Sequence, residues 1–188
     1  MCRAHGSAKE PQCFLHRHDK KNELFTNSRF EVWLAHGIVL SIVLAILYSH
    51  LSEWVLHKYV LHGLGKIKGG PWSSHWHTHH RSSRQNDNYD SDYIRSFLDP
   101  AVREEVLGLA LLSLLHLPLV LINPIFYITL VLCSIRYYRI HKKSHLDVEL
   151  CKKHLPWHYD HHMGQNQDAN WGVTTDWVDR LMGTRIKY

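Results

Sequence analysis

Two long uncharged stretches, each bordered by polar segments rich in histidine, set the pattern of the chain. The first, Val32–Ser52, contains no charged side chain and is long enough for a helix that crosses a bilayer. Its helical pattern continues to Gly63, after which several glycines and Pro71 end it. We therefore predict a membrane-spanning helix here, with residues 1–30 as a polar N-terminal tail and residues 31–188 as a single membrane domain.

The second uncharged stretch, Val106–Ile135, is interrupted by prolines. As one helix it would be about 45 Å long, which is too long for a bilayer core of about 30 Å. Pro118 and Pro124 interrupt it, and a residue that precedes a proline avoids helical geometry. We predict a hairpin of two helices, roughly 104–122 and 124–146, and three membrane crossings in all. A hairpin returns the chain to the side it left, so the polar segments before and after it share one face.

Histidine accounts for 18 of the 188 residues, several times its usual share. It is the commonest metal ligand among side chains, and most of these histidines gather beside the apolar stretches. Histidines four residues apart lie on one face of an α-helix, so such a pair can direct two imidazoles at one metal. The pairs are His75 with His79 and His141 with His145, and His158, His161 and His162 form a triplet of the same kind.

His57 and His62 are five residues apart, which is about 140° around an α-helix. They can share a metal if the helix ends near His62, which Gly63 permits. Ten imidazoles exceed the needs of one metal and suit two, although imidazole serves zinc, iron, copper and nickel alike. The predicted ligands are His57, His62, His75, His79, His80, His141, His145, His158, His161 and His162.

A metal-ligating histidine usually donates its second ring N–H to a carboxylate or a carbonyl. Four acidic residues stand near the histidine motifs and could accept these hydrogen bonds. An ordinary role as solvated acids at a membrane surface explains them equally well. They are Glu53, Asp147, Asp160 and Asp168.

Four histidine motifs and a C-terminal motif follow one another between residues 57 and 184. They read HKYVLH at residues 57–62, HWHTHH at 75–80, HKKSH at 141–145 and HYDHH at 158–162, then NWGVT at 170–174 and WVDRLMGT at 177–184. Over roughly residues 50–188 this series resembles the histidine boxes and the C-terminal end of the fatty acid hydroxylase/sterol desaturase superfamily. The resemblance implies an all-helical membrane fold, a cytosolic histidine-bound dimetal site, and O₂-dependent hydroxylation or desaturation of lipids.

The second histidine motif departs from the pattern of that family. The family's box commonly reads H-x-x-H-H, and Trp76 occupies its first position here. We favour His75 as the ligand because it lies one helical turn from His79, and we keep His77 as the alternative. Three further histidines, His36, His116 and His154, are interpreted as packed, hydrogen-bonded or surface residues rather than ligands.

The resemblance implies two iron ions, used with O₂ to oxidise an unactivated C–H bond. Zinc, which a purified form could carry, is redox-inactive and would not support this reaction. The sequence has no C-x-x-C-H haem site, no Rossmann glycine fingerprint and no cysteine set for an iron–sulfur cluster. Electrons must therefore come from an external donor, such as a ferredoxin or a cytochrome b5-type protein with its reductase.

A basic face could dock an acidic electron donor, although a positive membrane face without any partner explains the same residues. Six lysines and arginines precede the first apolar stretch and the other 16 follow it, on the histidine side of the predicted topology. The positive-inside rule then places the histidine face in the cytoplasm, at a bacterial inner membrane or the endoplasmic reticulum. The residues of the proposed basic face are Arg81, Arg84, Lys142, Lys143, Lys152 and Lys153.

The expected fold class is all-α, an integral membrane helical bundle with a cytosolic histidine-rich cap. The net charge of +5 would also suit nucleic acid, but no nucleic-acid motif accompanies it. Tryptophans on the histidine face suit an interfacial belt. They are Trp72, Trp76, Trp157, Trp171 and Trp177.

Two other functions fit part of this pattern. A membrane metal-handling or transport protein would also be rich in histidine, but transporters place ionisable ligands near the bilayer midplane, whereas these clusters lie at the ends of apolar stretches. A carotenoid hydroxylase-type enzyme has similar histidine spacing, but the C-terminal motif favours the hydroxylase/desaturase branch. The favoured function is thus the O₂-dependent oxidation of a fatty-acyl or sterol-like lipid.

Overall fold

The computed structural model describes residues 12–97 and 99–188, with residues 12–30 and 100–101 described by their backbone alone. Every regular element among these residues is a helix, so the predicted all-α fold is confirmed. Two elements, Leu56–Leu64 and His75–His80, have π-helical hydrogen bonding. The elements are α1 (Gln12–Val55), π1 (Leu56–Leu64), π2 (His75–His80), α2 (Arg81–Gln85), a 3₁₀ turn (Ser91–Ile94), α3 (Pro100–Leu115), α4 (Leu119–Ile122), α5 (Pro124–Leu146), α6 (Val148–His154), α7 (Pro156–Met163) and α8 (Trp177–Leu181).

The described chain divides into two compact units, one ending at Leu40 and the other spanning Ser41–Tyr188. In the first unit, Nδ1 of His36 donates to the carbonyl oxygen of Val32 at 2.6 Å, which is the local role expected of that histidine. The second unit contains every predicted metal ligand.

Among the described residues, one helical stretch, Glu31–Leu64, is long and apolar enough to cross a membrane. Of the three predicted crossings, only this first one meets both requirements of length and composition. The arms of the hairpin differ from it, because α3 has 16 residues and α5 carries charged side chains in its C-terminal half. At about 1.5 Å per residue, α3 is about 24 Å long, which is shorter than a bilayer core.

The predicted hairpin is present, but its first arm is not one helix over residues 104–122. The helix α3 ends at Leu115, and the short α4 follows after Pro118. Proline has no N–H to donate, and its ring collides with the carbonyl four residues earlier, so the helix cannot run through this position. The second arm begins as predicted at Pro124, because the side-chain oxygen of Asn123 accepts the N–H of Phe126 at 3.0 Å.

Polar side chains tie the helices of the second unit together within their apolar region. The Tyr48 hydroxyl donates to Nε2 of His116 at 2.7 Å, and Nδ1 of His116 donates to the carbonyl of Leu112 at 2.8 Å. The side-chain amide of Asn123 donates to the Ser41 hydroxyl at 2.9 Å. Both nitrogens of His116 therefore have partners inside the bundle, which agrees with its interpretation as a non-ligand.

The burial pattern is the reverse of that of a water-soluble protein. Leucines and isoleucines of the hairpin point outward, with Leu121 90 % exposed and Ile122 78 % exposed. Most of the largest fully buried side chains are histidines. An apolar exterior around a polar interior suits a helical bundle embedded in lipid.

One residue of the predicted tryptophan belt lies in the core instead. Trp171 is 2 % exposed and packs with Trp54 and Val178. Its ring also lies 4.7 Å from the ring of His62 and 5.7 Å from that of His57, measured between centroids. The C-terminal segment that carries Trp171 packs against the histidines and so buries the ring.

Candidate metal centre

Two π-helical segments bring four of the histidines together. In a π-helix the hydrogen bonds join residues five apart, so such residues lie nearly above one another. His57 and His62 stand five apart in π1, and His75 and His80 stand five apart in π2. The Nε2 atoms meet in pairs, at 3.1 Å between His57 and His75 and at 3.0 Å between His62 and His80. The helix does end near His62, at Leu64, as the sequence required, but its widening to a π-helix and not its end aligns this pair.

The histidines form two groups, and in each group one ring nitrogen of every member lies within 4.8 Å of the others. His158 belongs to neither group by this measure, but its Nε2 lies 3.1 Å from Nε2 of His145, beside the second group. The structure thus places nine of the ten predicted ligands in the two groups and the tenth against one of them. Group one is His57, His62, His75, His80 and His161, and group two is His79, His141, His145 and His162.

Each of the two His-His dipeptides contributes one histidine to each group. His79 belongs to group two and His80 to group one, while His161 belongs to group one and His162 to group two. Neighbouring residues on a helix point in directions about 100° apart, so a dipeptide between two sites can serve both. The rings of His80 and His162 lie 4.3 Å apart, so the groups are adjacent. The sequence assigned the pair His75/His79 and the triplet at 158–162 to single metals, whereas the structure divides them.

Backbone carbonyls fix the tautomers of three of the predicted ligands. Nδ1 of His57 lies 2.6 Å from the Trp171 carbonyl oxygen, and Nδ1 of His161 lies 2.7 Å from that of Ala169. Nδ1 of His145 lies 2.8 Å from a carbonyl oxygen in the same way, that of Asn88. A carbonyl oxygen only accepts, so Nδ1 must carry the proton, and Nε2 presents its lone pair to the interior of the group.

Two carboxylates, one buried and one partly buried, do the same for group two. Asp90 accepts from Nδ1 of His79 at 2.8 Å, and Glu105 accepts from Nδ1 of His141 at 2.7 Å. The Tyr93 hydroxyl donates to the other oxygen of Glu105 at 2.7 Å and so holds that carboxylate in place. Carboxylate acceptors raise the basicity of a ligating imidazole, which strengthens its bond to a cation.

The acids proposed from sequence have other roles, with one exception. Asp168 lies 3.4 Å from Nδ1 of His62, although it is more closely paired with Lys66 at 2.6 Å. Glu53 instead accepts hydrogen bonds from the backbone of residues 173 and 174, Asp147 caps α6, and Asp160 pairs with Arg185. Of the four acids that stand near the histidine motifs in sequence, three therefore make the contacts named here with groups other than the histidines.

Histidine spacing did not identify three residues of the site, because they lie outside the histidine motifs, in the loop and at the helix start between the second and third motifs. They are Asp90, Tyr93 and Glu105. The sequence signal for Asp90 is an acid in the loop after the second histidine motif. The signal for Glu105 is an acid at the start of the hairpin. Burial opposes the ionisation of Asp90, but hydrogen bonds from His79, Ser82 and the Asp92 backbone hold its pKa below the usual value.

Burial keeps the histidines outside the helical span and hairpin neutral. It lowers the pKa of His161 to about 4, against the opposing effect of its bond to Ala169. It also lowers the pKa of His79, although the Asp90 carboxylate partly offsets this. Neighbouring histidines add to the effect of burial at four other positions, because two imidazolium ions would repel each other. The pKa is lowered well below its usual value at His75, His80, His158 and His162.

The donor set fits metal cations. Nε2 of His79, Nε2 of His141 and both ring nitrogens of His162 are buried and lack a hydrogen-bond partner among the described residues. Buried polar atoms without partners are costly, and lone pairs that converge within 4.8 Å repel one another unless a cation lies between them. Neutral imidazoles that point Nε2 inward are good ligands for a transition metal.

The two alternatives in the second histidine motif have different surroundings. His75 belongs to group one, whereas the side chain of His77 is exposed and its Nε2 donates to the Lys66 carbonyl at 3.2 Å. Trp76 stacks on the ring of His80 at 5.2 Å. His154 is exposed and lies in neither group.

An apolar cavity of about 320 Å³ lies beside group one and is lined in part by His57. Its walls come from α1 and π1 on one side and α3 on the other, with α5 behind. Along α3 it runs from Glu105 to Leu115, about 15 Å at 1.5 Å per residue. The side chains that line it are Ser49, Glu53, Leu56, His57, Val60, Leu61, Trp72, Glu105, Gly108, Leu109, Leu111, Leu112, Leu115, Ser134 and Tyr137.

Trp72 separates this cavity from a second, smaller one. The small cavity holds about 30 Å³, room for about one water molecule, and is lined by His75 and His79 from the two groups. Trp72 lines both cavities and has a positive φ of 66°, an uncommon conformation for a bulky side chain. Its ring packs on Gly108, where a β-carbon would lie 3.1 Å from the ring. Trp72 therefore lies between the two cavities, together with Leu61, Glu105 and Tyr137, whereas His57 of group one lines the apolar cavity directly.

A family model described as fatty acid hydroxylase matches residues 42–184 of the chain. No curated protein and no solved structure gives a significant match. The matched range contains both histidine groups, His158, the residues that line the apolar cavity, and the C-terminal motif as far as Thr184.

Proposed function

Because the chain belongs to the fatty acid hydroxylase family, we propose that it is an O₂-dependent hydroxylase or desaturase of a fatty-acyl or sterol-like membrane lipid. The observation that carries this proposal is the apolar cavity, which runs between lipid-facing helices and ends at His57 of group one. A site built only to carry metal ions has no need of a leucine-lined cavity at its side.

The two groups, with His158, would hold two iron ions, which supply the redox chemistry with O₂ that breaks a C–H bond when they are bound. The ten histidines act as ligands and not as acids or bases. The cavity positions a chain carbon beside group one, and its leucines restrict water near the reacting carbon. The shape of the cavity suits a slender hydrocarbon chain that enters from the membrane.

Electrons would come from an external ferredoxin or cytochrome b5-type donor with its reductase. The proposed docking face includes Arg81, next to His80, and Lys143, within the 141–145 motif, and both are exposed. Two other basic residues of that face are already engaged, because Arg84 donates to the carbonyls of His162 and Gly164, and Lys152 pairs with Asp87. An acidic electron-donor protein bound at Arg81 and Lys143 would lie within a few residues of the histidines that are proposed to bind the metals.

We place the histidine face in the cytoplasm, on the positive-inside rule. Single cysteines at Arg81 and Lys153, in a protein without its native cysteines, should both react with an impermeant reagent from the cytoplasmic side only. Labelling of both positions from the opposite side would show that the histidine face does not lie in the cytoplasm. Labelling of the two positions from different sides would contradict the hairpin.

The proposed reaction is tested with iron-reconstituted protein, a reducing system and a membrane lipid extract under ¹⁸O₂. We expect either a lipid that carries one ¹⁸O atom or a lipid with one additional double bond, and neither under anaerobic conditions or without reductant. Lipid profiles that stay identical across a broad substrate panel, at full iron occupancy and confirmed reduction, would contradict the oxygenase and favour a metal-handling role.

A further inference from the structure

The C-terminal segment, residues 168–184, supplies the outer hydrogen-bond acceptors of group one. The Trp171 carbonyl accepts from His57, the Ala169 carbonyl accepts from His161, and the Asp168 carboxylate lies 3.4 Å from Nδ1 of His62. Group two takes its acceptors from elsewhere, at Asn88, Asp90 and Glu105. Through these hydrogen bonds the C-terminal segment contacts the histidines of group one and not those of group two.

Asp179 holds this segment in its folded form. Its side chain is fully buried and accepts four hydrogen bonds. Oδ2 accepts the Gly172 N–H at 2.7 Å, and Oδ1 accepts the Trp171 N–H at 2.9 Å. Oδ1 also accepts from the Thr184 hydroxyl at 2.7 Å and from the Trp54 indole at 3.2 Å. A buried carboxylate is stable in the ionised form only with such a set of donors.

The bond to Gly172 fixes the direction of the Trp171 carbonyl. The C=O of Trp171 and the N–H of Gly172 belong to the same peptide group, which is planar and trans, so the two point in opposite directions. When Asp179 takes the N–H on one side, the carbonyl must point to the other, where it meets Nδ1 of His57. A side chain at position 172 would collide with the Thr175 carbonyl and approach Asp179, which explains the glycine.

We propose that Asp179 is a positioning residue for the metal in group one. It acts through the Trp171–Gly172 peptide, whose carbonyl keeps the proton of His57 on Nδ1 and leaves Nε2 free to bind metal. The inference rests on the proposed function only in that group one must bind a metal, and it does not depend on the substrate or the reaction.

The test is Co²⁺ binding by the metal-free, detergent-purified full chain, followed through the visible spectrum of the bound ion. Wild-type protein should bind two Co²⁺. Asp179→Asn keeps the shape of the side chain but turns an amide N–H₂ toward one of the backbone donors. We expect it to lower the affinity of one site by about 10- to 100-fold, the usual cost of losing a partner that orients a ligand, and to leave the other site unchanged.

Three further variants assign and control the result. His161→Ala and His145→Ala identify which binding step belongs to group one and which to group two. Asp176→Asn makes the same chemical change in the same segment, but Asp176 pairs with Arg180 and Arg185 and makes no hydrogen bond to the Trp171–Gly172 peptide. We expect both sites of this control to match the wild type.

A residue with a merely structural role would weaken both sites together, and that result, or no change at either, overturns the proposal. If Asp179→Asn does not fold, Thr184→Val carries the test, because it removes a single donor to Asp179 and keeps the shape. Its group-one affinity should fall while group two is unaffected, and unchanged affinity at group one contradicts the proposal. Wild-type protein that binds no metal would reject the metal centre and the inference together, whereas two sites with the same two affinities in wild type and Asp179→Asn would reject the inference alone.

Discussion

Replacement of His161 with alanine is expected to lower lipid turnover by at least about 100-fold while the protein stays in the membrane. His161 is fully buried in group one, and its Nε2 lies 3.2 Å from Nε2 of His80. Loss of a partner that only orients a ligand costs up to about 100-fold in metal affinity or activity, so loss of a ligand should cost at least as much. Metal analysis should show a fall from two ions per chain toward one.

His154→Ala is the matched control for this prediction. His154 lies seven residues before His161, is exposed and belongs to neither group. We expect it to keep two metals and wild-type turnover. If His161→Ala is expressed normally and its lipid turnover stays within a few-fold of the wild type, group one is not part of the active centre.

Leu112→Trp is expected to abolish the turnover of long-chain lipids while both metals remain bound. Leu112 lines the apolar cavity one helical turn beyond Gly108, and a tryptophan there would fill part of the cavity that His57 also lines. The substitution leaves the histidine groups and their acceptors unchanged. Overpacking costs about 1–3 kcal/mol of stability, which a membrane bundle can tolerate.

The control is Leu114→Trp, the same change two residues along α3. Leu114 is 61 % exposed on the outer surface and does not line the cavity, so turnover should be unchanged. Chain length should also matter in Leu112→Trp, since a short substrate needs less of the cavity than a long one. Equal turnover of long-chain substrates by both variants would show that lipid reaches the metals by another route.

The sequence was sufficient for the features that depend on composition and on proline. The apolar stretch at 32–52 is helical, and Pro118 and Pro124 mark the turn of the hairpin. The two histidine clusters meet, as the hairpin required, with 4.4 Å between the ring centroids of His79 and His145. These features follow from local rules, because hydrophobicity and the missing N–H of proline act wherever they occur.

The division of ligands between the two groups could not be read from the sequence. A search for spacings of three and four assumes an α-helix, and no local propensity distinguishes the π-helices that carry His57/His62 and His75/His80. The equal spacing of five in both motifs was the available signal. A π-helix is less favourable than an α-helix on its own, so the contacts between these two segments must select it.

The outer acceptors were the least predictable part of the site. Any residue has a carbonyl, so nothing in the letters of Ala169 or Trp171 indicates that these two hold ligands. Asp90 and Glu105 resemble surface acids in sequence, and only the tertiary fold buries them against His79 and His141. The resemblance to a family pointed to the C-terminal motif but did not say what it does.

The span of the chain between a ligand and its acceptor imposes an order on biosynthesis. The apolar helix can enter the membrane as soon as it is made, and group two has all its ligands once His162 has left the ribosome. Group one is different, because His57 donates to the Trp171 carbonyl, which lies 114 residues further along the chain. Asp179 orients that carbonyl through the Gly172 N–H. Group two is thus complete earlier along the chain than group one, whose outer acceptors lie at residues 168, 169 and 171.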